Sequence, residues 1–201
     1  MQISTGFYYH ISDTYFSDVN EPFLMSNKEN GGYRPHYLAI QDANNSNIYW
    51  MVPVSSKYDK YKKIHDQQVQ KYKKCTKIVL GKCAGWDAAY LIQNAFPITT
   101  DYFDHIHTSH GQPLKMHAST GKLVEQSLAL SLNLHKRGIN LFFADIDKLY
   151  KLMENHLSTV ELREQISQGL SDIANGDTRP ASDAINSIKE HRTNNKPETE
   201  E

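Results

Sequence analysis

Residues 47–74 read NIYWMVPVSSKYDKYKKIHDQQVQKYKK, an apolar run followed by two serines and a lysine-rich stretch. The apolar run, residues 48–52, combines β-branched and aromatic side chains over the length of a strand, and it predicts a buried strand that stops at Pro53. Ser55 or Ser56 then stands where a helix needs an N-cap. The hydroxyl groups and the free N–H groups of the helix are therefore expected to meet at one corner of the fold.

The lysine-rich stretch predicts a basic helix beside the two serines. Lys57 opens its first turn, so an ammonium group joins the hydroxyls and the backbone N–H groups, and this combination suits an anion. Tyrosines interleave with the lysines, and cations with stacking surfaces are typical of a site for a nucleic-acid strand. The alternative is a solvated surface helix whose tyrosines pack against the core. The predicted RNA-binding residues are Tyr33, Lys60, Lys62, Lys63, Lys71, Lys73 and Lys74.

Length and charge indicate one well-buried domain with an appendage. The 201 residues carry a net charge of −1, which conceals an uneven distribution. Residues 158–201 hold nine acidic and five basic side chains, which leaves fourteen acidic and seventeen basic ones in residues 1–157. No apolar run reaches the length of a membrane span and no export signal opens the sequence, so we expect a cytoplasmic protein without membrane contact.

Two predicted strands bring the candidate site together. Residues 37–40 predict a strand, and the polar residues 42–47 turn the chain back into the apolar run, which predicts an antiparallel hairpin. The start of one strand then lies beside the end of its partner. This arrangement places Arg34 and His36 close to the two serines. The candidate catalytic residues are Ser55, Ser56, Lys57, Arg34 and His36.

Local patterns predict the remaining elements of a chain that mixes helices and strands. Further strands are predicted at residues 7–11, 76–80, 86–92 and 139–143, a loop at residues 28–32, and helices at residues 13–19, 120–137 and 145–157. Residues 158–192 predict two short amphipathic helices, the first with its apolar stripe at residues 160–173 and the second around residues 184–188, with a break at residues 175–177 between them. Residues 193–201 predict a disordered end. Each of the two apolar stripes is too narrow to support a core, so we expect this segment to dock on another surface.

Four histidines, His105, His107, His110 and His117, lie around a polar turn. Metal sites need convergent geometry and usually carboxylate or thiolate ligands, which this spacing does not supply. We therefore predict neither a metal nor any other cofactor. A histidine from this loop is one candidate for acid–base chemistry.

Three adjoining features form a motif. Arg34-Pro35 leads into a strand, a second strand ends in Pro53-Val54-Ser55-Ser56, and a lysine-rich helix follows directly. The motif resembles the ToxN/AbiQ/CptN family, the toxins of type III toxin–antitoxin systems, over roughly residues 6–157. The resemblance implies an α+β fold, a partly open antiparallel β-barrel like that of MazF/Kid toxins with flanking helices. It also implies a metal-independent endoribonuclease that is inhibited by a repetitive structured RNA and acts in defence against phage.

The resemblance assigns roles to individual residues. Ser56 matches the family's essential serine, and Ser55 matches its neighbouring threonine or serine. Arg34 matches the arginine that precedes the family's proline. Lys57 approximates a basic residue that in many members follows an intervening proline; that proline is missing here, and Lys60 is the alternative.

A different likeness covers residues 161–181. The segment Gly169-Leu170-Ser171-Asp172-Ile173, with Gly176 and Pro180-Ala181 after it, looks like the carboxyl-terminal region of small protein antitoxins of type II systems. This likeness suggests a toxin-binding segment at residues 158–192. The hypothesis is that it binds and restrains a toxin, either this one or a neighbouring copy.

These features predict a metal-independent ribonuclease mechanism. The 2′-OH of the RNA attacks the adjacent phosphorus and gives a 2′,3′-cyclic phosphate and a 5′-OH, so the protein must orient the phosphate, stabilise negative charge and move two protons. The two serines hold phosphate oxygens, Arg34 and Lys57 stabilise the charge, and His36 or, alternatively, Tyr33 moves protons. The predicted partners are an RNA substrate and an RNA antitoxin. A protein antitoxin or the chain's own tail is a further predicted inhibitor, and we expect an oligomer to form with the inhibitor. The alternative function is a non-catalytic RNA-binding module whose tail recruits a protein partner.

Overall fold

A computed structural model of the protein describes residues 3–29 and 31–176, and in this part of the chain four helices accompany an antiparallel sheet. The predicted α+β class is confirmed. Two 3₁₀ turns, Ile92–Asn94 and Thr100–Tyr102, interrupt the strand region. The helices are α1 (Asp13–Val19), α2 (Tyr58–Tyr72), α3 (Ala118–His135) and α4 (Ile146–Asn175).

The strands fall into one large sheet and two small hairpins. The small hairpins pair β2 (Lys28–Glu29) with β3 (Gly32–Tyr33) and β10 (Thr108–Ser109) with β11 (Gln112–Pro113). The large sheet contains β1 (Tyr8–Ile11), β4 (His36–Gln41), β5 (Ile48–Ser55), β6 (Ile78–Cys83), β7 (Trp86–Leu91), β8 (Phe96–Thr99) and β9 (Phe103–Ile106).

The large sheet is antiparallel and open. Its strand order is β6-β7-β5-β4-β1-β9, and β8 pairs with the first half of β5. Within the described residues its ends do not join into a closed barrel, which agrees with the predicted open architecture. The hairpin between β4 and β5 is confirmed, with His36 opposite Pro53 and Tyr37 opposite Val52.

The prediction that the apolar strand stops at Pro53 is wrong, because β5 continues to Ser55. On one edge of β5, β8 pairs as far as Met51, and β7 begins to pair at Val54. Pro53 therefore lies where one partner strand has ended and the next has not begun. A residue that lacks an N–H group is tolerated there because no partner requires that donor.

The two faces of the sheet carry separate clusters of buried side chains. On one face Tyr8, Tyr37 and Val52 pack with Val124 and Leu128 of α3. The opposite face packs against α1 and α4. Its buried side chains include Tyr9, Leu38, Met51, Tyr15, Leu149 and Met153. Because side chains alternate along a strand, successive residues of β1 and β4 serve the two clusters in turn.

Three other predictions are corrected. Residues 139–143 do not form a strand, although Phe142 is buried in the core. Where a loop was predicted at residues 28–32, Lys28–Glu29 and Gly32–Tyr33 pair as the strands β2 and β3. The predicted helices at residues 145–157 and 158–175 are one continuous helix, since no glycine or proline interrupts the α4 sequence before Gly169. The predicted break near residue 175 is confirmed: Asn175 ends α4, and Gly176 has a φ of 76°.

The chain divides into two compact units, Met1–Leu157 and Ser158–Glu201. The second unit begins within α4, and its described residues present apolar side chains to solvent. The predicted second tail helix near residues 184–188 and the predicted disordered end at residues 193–201 lie outside the described residues. Among the helices described, none has both the length and the apolar character that a bilayer crossing requires.

Candidate active site

The hairpin between β4 and β5 positions Arg34. The residue lies two positions before His36, so it stands opposite the end of β5. Its Nη1 donates a hydrogen bond to the carbonyl oxygen of Val54 at 2.9 Å, and its Nε donates to the carbonyl oxygen of Ser26 at 3.1 Å. Only 5% of the Arg34 surface is exposed. The guanidinium is therefore held in a fixed orientation by backbone groups of two separate segments.

The two serines have different surroundings. Ser55 is fully buried, pairs with Ala89 of β7, and its Oγ accepts a hydrogen bond from the Lys57 N–H at 3.2 Å. Ser56 is exposed. We conclude that Ser55 shapes the turn from strand to helix, whereas Ser56 can reach a bound molecule.

The prediction that a serine caps the basic helix is wrong by one residue. Lys57 occupies the N-cap position of α2, and no side chain forms a cap hydrogen bond there. Pairing with β7 keeps Ser55 in the strand, so the chain completes its turn at Ser56, whose carbonyl oxygen accepts a hydrogen bond from the Tyr58 N–H at 2.8 Å. The Lys57 side chain nevertheless lies at the exposed start of the helix, next to Ser56.

Arg34 and Ser56 line one cleft. It has a volume of about 280 Å³ and lies where the β4–β5 hairpin meets the turn between β6 and β7. Asp87 brings a negative charge to this cleft, and Lys82 neutralises it with an ion pair of 3.3 Å. The lining residues are Tyr33, Arg34, Pro35, Val54, Ser56, Cys83, Trp86, Asp87 and Ala88. The structure thus brings a guanidinium from just before β4 and a serine hydroxyl from just after β5 to the same concave surface.

Two aromatic rings flank the cleft. Trp86 is 80% exposed and Tyr33 is 49% exposed. The Tyr33 hydroxyl donates a hydrogen bond to Asp13 at 3.1 Å, and the Lys28 ammonium lies 4.7 Å from the centre of the Tyr33 ring, so this ring is held in place. Exposed aromatic faces of this kind can stack on other planar rings. Sequence reasoning included Tyr33 but missed Trp86.

The predicted role of His36 as an acid or base is corrected. His36 has no exposed surface, and its ring lies 5.4 Å from Phe96 and 6.3 Å from Phe16. Burial and the neighbouring Arg34 guanidinium lower the pKa of His36 to about 3. An imidazole that is neutral and enclosed in this way cannot exchange a proton with a substrate in the cleft, so His36 is a core residue.

The buried His36 predicts a measurable pH dependence. In the unfolded chain its pKa is about 6.5, against about 3 in the fold, so the unfolded state binds the proton more tightly. The free energy of unfolding should therefore fall as the pH drops through this window, by about 1.4 kcal/mol per pH unit from this one group. We expect His36→Leu to reduce the slope measured in urea titrations by about this amount. His117→Leu, which changes an exposed histidine, should leave the slope intact, and an unchanged slope in His36→Leu would contradict the assignment.

The remaining nucleophile in the cleft, Cys83, is unsuited to catalysis. Burial raises the pKa of the Cys83 thiol to about 11, so it remains protonated at neutral pH. Within residues 3–29 and 31–176, no group of three or more histidine, cysteine and acidic side chains has the arrangement of a metal site.

The predicted RNA-binding lysines lie along α2 and in the two residues that follow it, and α2 begins at the edge of the cleft. None of the 15 residues of α2 is buried, and the helix packs on the sheet through Tyr61 and Ile64, which contact the cluster of Ile78, Ala89 and Leu91. The helix is about 22 Å long at 1.5 Å per residue. The exposed lysines of this segment are Lys60, Lys62, Lys63, Lys71, Lys73 and Lys74. Lys62 also pairs with Asp66 one turn away.

Comparison with known proteins gives a likeness of structure. No family model matches the chain, and no curated protein matches its sequence. Among solved structures, one similar chain is AbiQ, described as a lactococcal anti-phage endoribonuclease belonging to the type-III toxin–antitoxin system. The TM-score is 0.60, and the match covers 77% of this chain and 99% of AbiQ. The two proteins share a fold.

The shared fold persists at a sequence identity of 11%. At such a low identity the two proteins can be said to share an architecture, but the roles of individual residues cannot be carried over, since one fold can carry different functional sites. The fold that the strand–serine–helix motif implied is therefore confirmed. The proposed roles of Ser56, Arg34 and the lysines therefore rest on the geometry of the cleft and its surroundings.

Proposed function

We propose that this protein is the toxin of a toxin–antitoxin system with a role in defence against phage, and that it cleaves RNA without a metal at the cleft lined by Arg34 and Ser56. One observation carries the proposal. A clamped guanidinium just before β4 and an exposed serine hydroxyl just after β5 face the same cleft, on a fold shared with an endoribonuclease. Exposed aromatic rings and the lysines of α2 extend this surface in a manner that suits single nucleotides and a phosphate backbone.

The proposed reaction is an intramolecular transesterification. The 2′-oxygen forms a bond to the adjacent phosphorus as the bond from phosphorus to the 5′-oxygen breaks, which leaves a 2′,3′-cyclic phosphate and a 5′-OH. One proton leaves the 2′-OH and another reaches the departing 5′-oxygen. The phosphorane-like transition state carries additional negative charge, and groups fixed in advance stabilise it most effectively.

The residues around the cleft divide these tasks. Ser56 donates a hydrogen bond to a phosphate oxygen, and the Arg34 guanidinium supplies fixed positive charge at the wall of the cleft. Lys57, at the exposed start of α2, supplies a second cation, with Lys60 one turn further along the helix as the alternative. Tyr33 is our candidate for proton transfer at the rim of the cleft, because His36 is enclosed in the core.

The proposed activity is tested by the chemistry of the products. Purified protein is incubated with RNA in the presence of EDTA, and the ends of the fragments are analysed. We expect cleavage with cyclic phosphate and 5′-hydroxyl ends. Binding that weakens with salt but yields no fragments would instead support the RNA-binding module.

We expect Trp86→Ala to weaken RNA binding without loss of the fold. Stacking of a base on an aromatic ring contributes about 1–3 kcal/mol, which corresponds to roughly a fivefold to hundredfold change in affinity. Trp86 is 80% exposed, so its removal opens no core cavity. Trp86→Phe should restore much of the affinity in a filter-binding assay, and Trp86→Ala binding that equals the wild type would exclude the stacking role.

We extend the proposal to control by antitoxins. An RNA with repeated structured elements would occupy the same cationic surface as the substrate, and an oligomer would then form around the inhibitor. Short tandem repeats upstream of the gene would favour this RNA antitoxin. A small reading frame beside the gene, without such repeats, would favour a protein antitoxin.

The second unit provides a further element of the proposed control. Leu162, Ile166, Leu170 and Ile173 are spaced by four, four and three residues, so they lie on one stripe of α4, and each is more than half exposed. We expect this stripe to restrain a ribonuclease unit, either that of the same chain or that of a neighbour. Deletion of residues 158–201, or Ile166→Gln combined with Leu170→Gln in the full chain, should then increase RNA cleavage and growth arrest. Unchanged cleavage and growth in both variants would refute the restraint.

A further inference from the structure

Three histidines that the proposed reaction does not use form a cluster on β1, on β9 and directly after β9. The Nε2 atom of His10 and the Nδ1 atom of His107 form a hydrogen bond of 2.8 Å. The His105 ring stacks on His10 with 4.5 Å between the ring centres. His10 is 8% exposed, and within the described part of the chain its Nδ1 atom has no hydrogen-bond partner. His105 is exposed and His107 is half-buried, so the cluster opens to solvent on the β9 side.

The cluster adjoins the cleft along one row of the sheet. On one side of β1, His10 pairs with His105 of β9. On the other side, Tyr9 pairs with His36 of β4. Because β1 and β4 are antiparallel, the residue after Tyr9, His10, lies beside the residue before His36, Pro35. The Val54 N–H in turn donates a hydrogen bond to the Pro35 carbonyl oxygen at 3.2 Å. Cross-strand neighbours share a face of the sheet, and adjacent strands lie about 4.8 Å apart.

This row of residues therefore connects the histidine cluster with the cleft. Pro35 and Val54 line the cleft, which puts the histidine cluster about one to two strand spacings from its wall. The Tyr33 ring, also part of the cleft, lies edge-on to His10 with 6.4 Å between the ring centres. The distance between the histidine cluster and the wall of the cleft is comparable with the length of one nucleotide in an extended strand.

Burial and the neighbouring histidines disfavour the charged form of two members of the cluster, His10 and His107. Burial, His107 and His105 lower the pKa of His10 to about 4, and burial and His105 lower the pKa of His107. The other titratable groups nearby are Tyr33, the enclosed His36 and Asp104, whose carboxylate lies 2.9 Å from the Nδ1 atom of His105. A bound anion would change this balance, because an opposite charge at close range favours the protonated imidazole.

We propose that His10, His105 and His107 form a second phosphate subsite, which takes up protons as it binds the RNA phosphate next to the one in the cleft. The inference rests on the proposed RNA substrate. The exposed His105 and the half-buried His107 donate N–H groups to the phosphate, and His10 is a positioning residue that orients His107 through their shared hydrogen bond. RNA affinity is then linked to the protonation of the cluster.

The test measures RNA binding separately from RNA cleavage. The probe is a short randomised RNA oligonucleotide with 2′-O-methyl groups throughout, which lacks the attacking hydroxyl, and its anisotropy is followed between about pH 5 and pH 8. If bound phosphate raises the pKa of one histidine by one unit, the affinity for RNA should rise about tenfold on acidification. We expect this rise in the wild type and in His117→Gln, which changes an exposed histidine outside the cluster. We expect most of it to disappear in His105→Gln combined with His107→Gln.

If the double variant, His105→Gln with His107→Gln, unfolds, the single variant His105→Gln still tests the subsite. His105 is exposed, so His105→Gln should fold normally and lose part of the pH-dependent rise. A rise in both variants equal to that of the wild type would overturn the phosphate subsite. If the wild type shows the rise but yields no fragments from unmodified RNA, the ribonuclease proposal fails while the subsite stands. If RNA is cleaved and the rise is absent, only the subsite fails.

Discussion

We expect Ser56→Ala to lower RNA cleavage by at least about a hundredfold and to abolish growth arrest. Ser56 is the exposed hydroxyl in the cleft, and it faces the same space as the Arg34 guanidinium. Removal of a single hydrogen-bond donor to a developing negative charge has this effect because the donor acts chiefly in the transition state. Single-turnover cleavage rates and colony counts after induced expression measure the two outcomes.

A matched variant separates chemistry from folding. Ser46→Ala changes another exposed serine, in the loop between β4 and β5, and should leave cleavage unchanged. Because Ser56 is exposed, Ser56→Ala should alter the free energy of unfolding by less than about 1 kcal/mol. A Ser56→Ala protein that cleaves RNA at the wild-type rate would show that the catalytic site lies elsewhere.

The second large effect concerns Arg34, for which we expect Arg34→Lys to reduce both stability and activity. An ammonium group cannot reproduce the two fixed hydrogen bonds to the carbonyl oxygens of Ser26 and Val54. A buried acceptor left without a donor costs about 1–3 kcal/mol, so a loss of roughly 3 kcal/mol is expected in urea unfolding. Displacement of the charge from the cleft should also lower cleavage by about a hundredfold.

The two roles of Arg34 can be told apart. Cleavage is compared at a temperature at which the circular dichroism of Arg34→Lys is that of the folded protein. Arg137→Lys, which changes an exposed arginine just after α3, should be neutral in both assays. Wild-type stability in Arg34→Lys would contradict the backbone clamp, and wild-type cleavage would contradict the contribution of the guanidinium to the reaction.

The hairpin at the centre of the fold could be predicted because its signals are local. Two apolar runs of strand length flank a polar loop, and the antiparallel geometry then brings Arg34 near the end of the second strand. The exact end of that strand could not be predicted, because it depends on β7, more than thirty residues further along the chain. Pairing of Ser55 with Ala89 carries β5 past Pro53 and moves the helix start to Tyr58.

Burial explains what was wrong or missing at the site. A histidine at the start of a strand carries no local sign of which face it occupies, and His36 faces the rings of Phe16 and Phe96. Trp86 opens an apolar strand pattern and was therefore predicted only as part of a strand. The signal that could have identified it is the two-residue turn before it, where Ala84 and Gly85 have positive φ values of 50° and 86°. A residue directly after such a turn lies at the end of a hairpin, where neighbouring strands cover it least.

The most direct test of the central claim is a crystal structure of the wild-type protein with a 2′-O-methyl RNA that it cannot cleave. We expect a phosphate within hydrogen-bond distance of the Ser56 hydroxyl, beside the Arg34 guanidinium, with a base stacked on Trp86. An RNA bound along another surface, with the cleft between the β4–β5 hairpin and the β6–β7 turn left free, would contradict it.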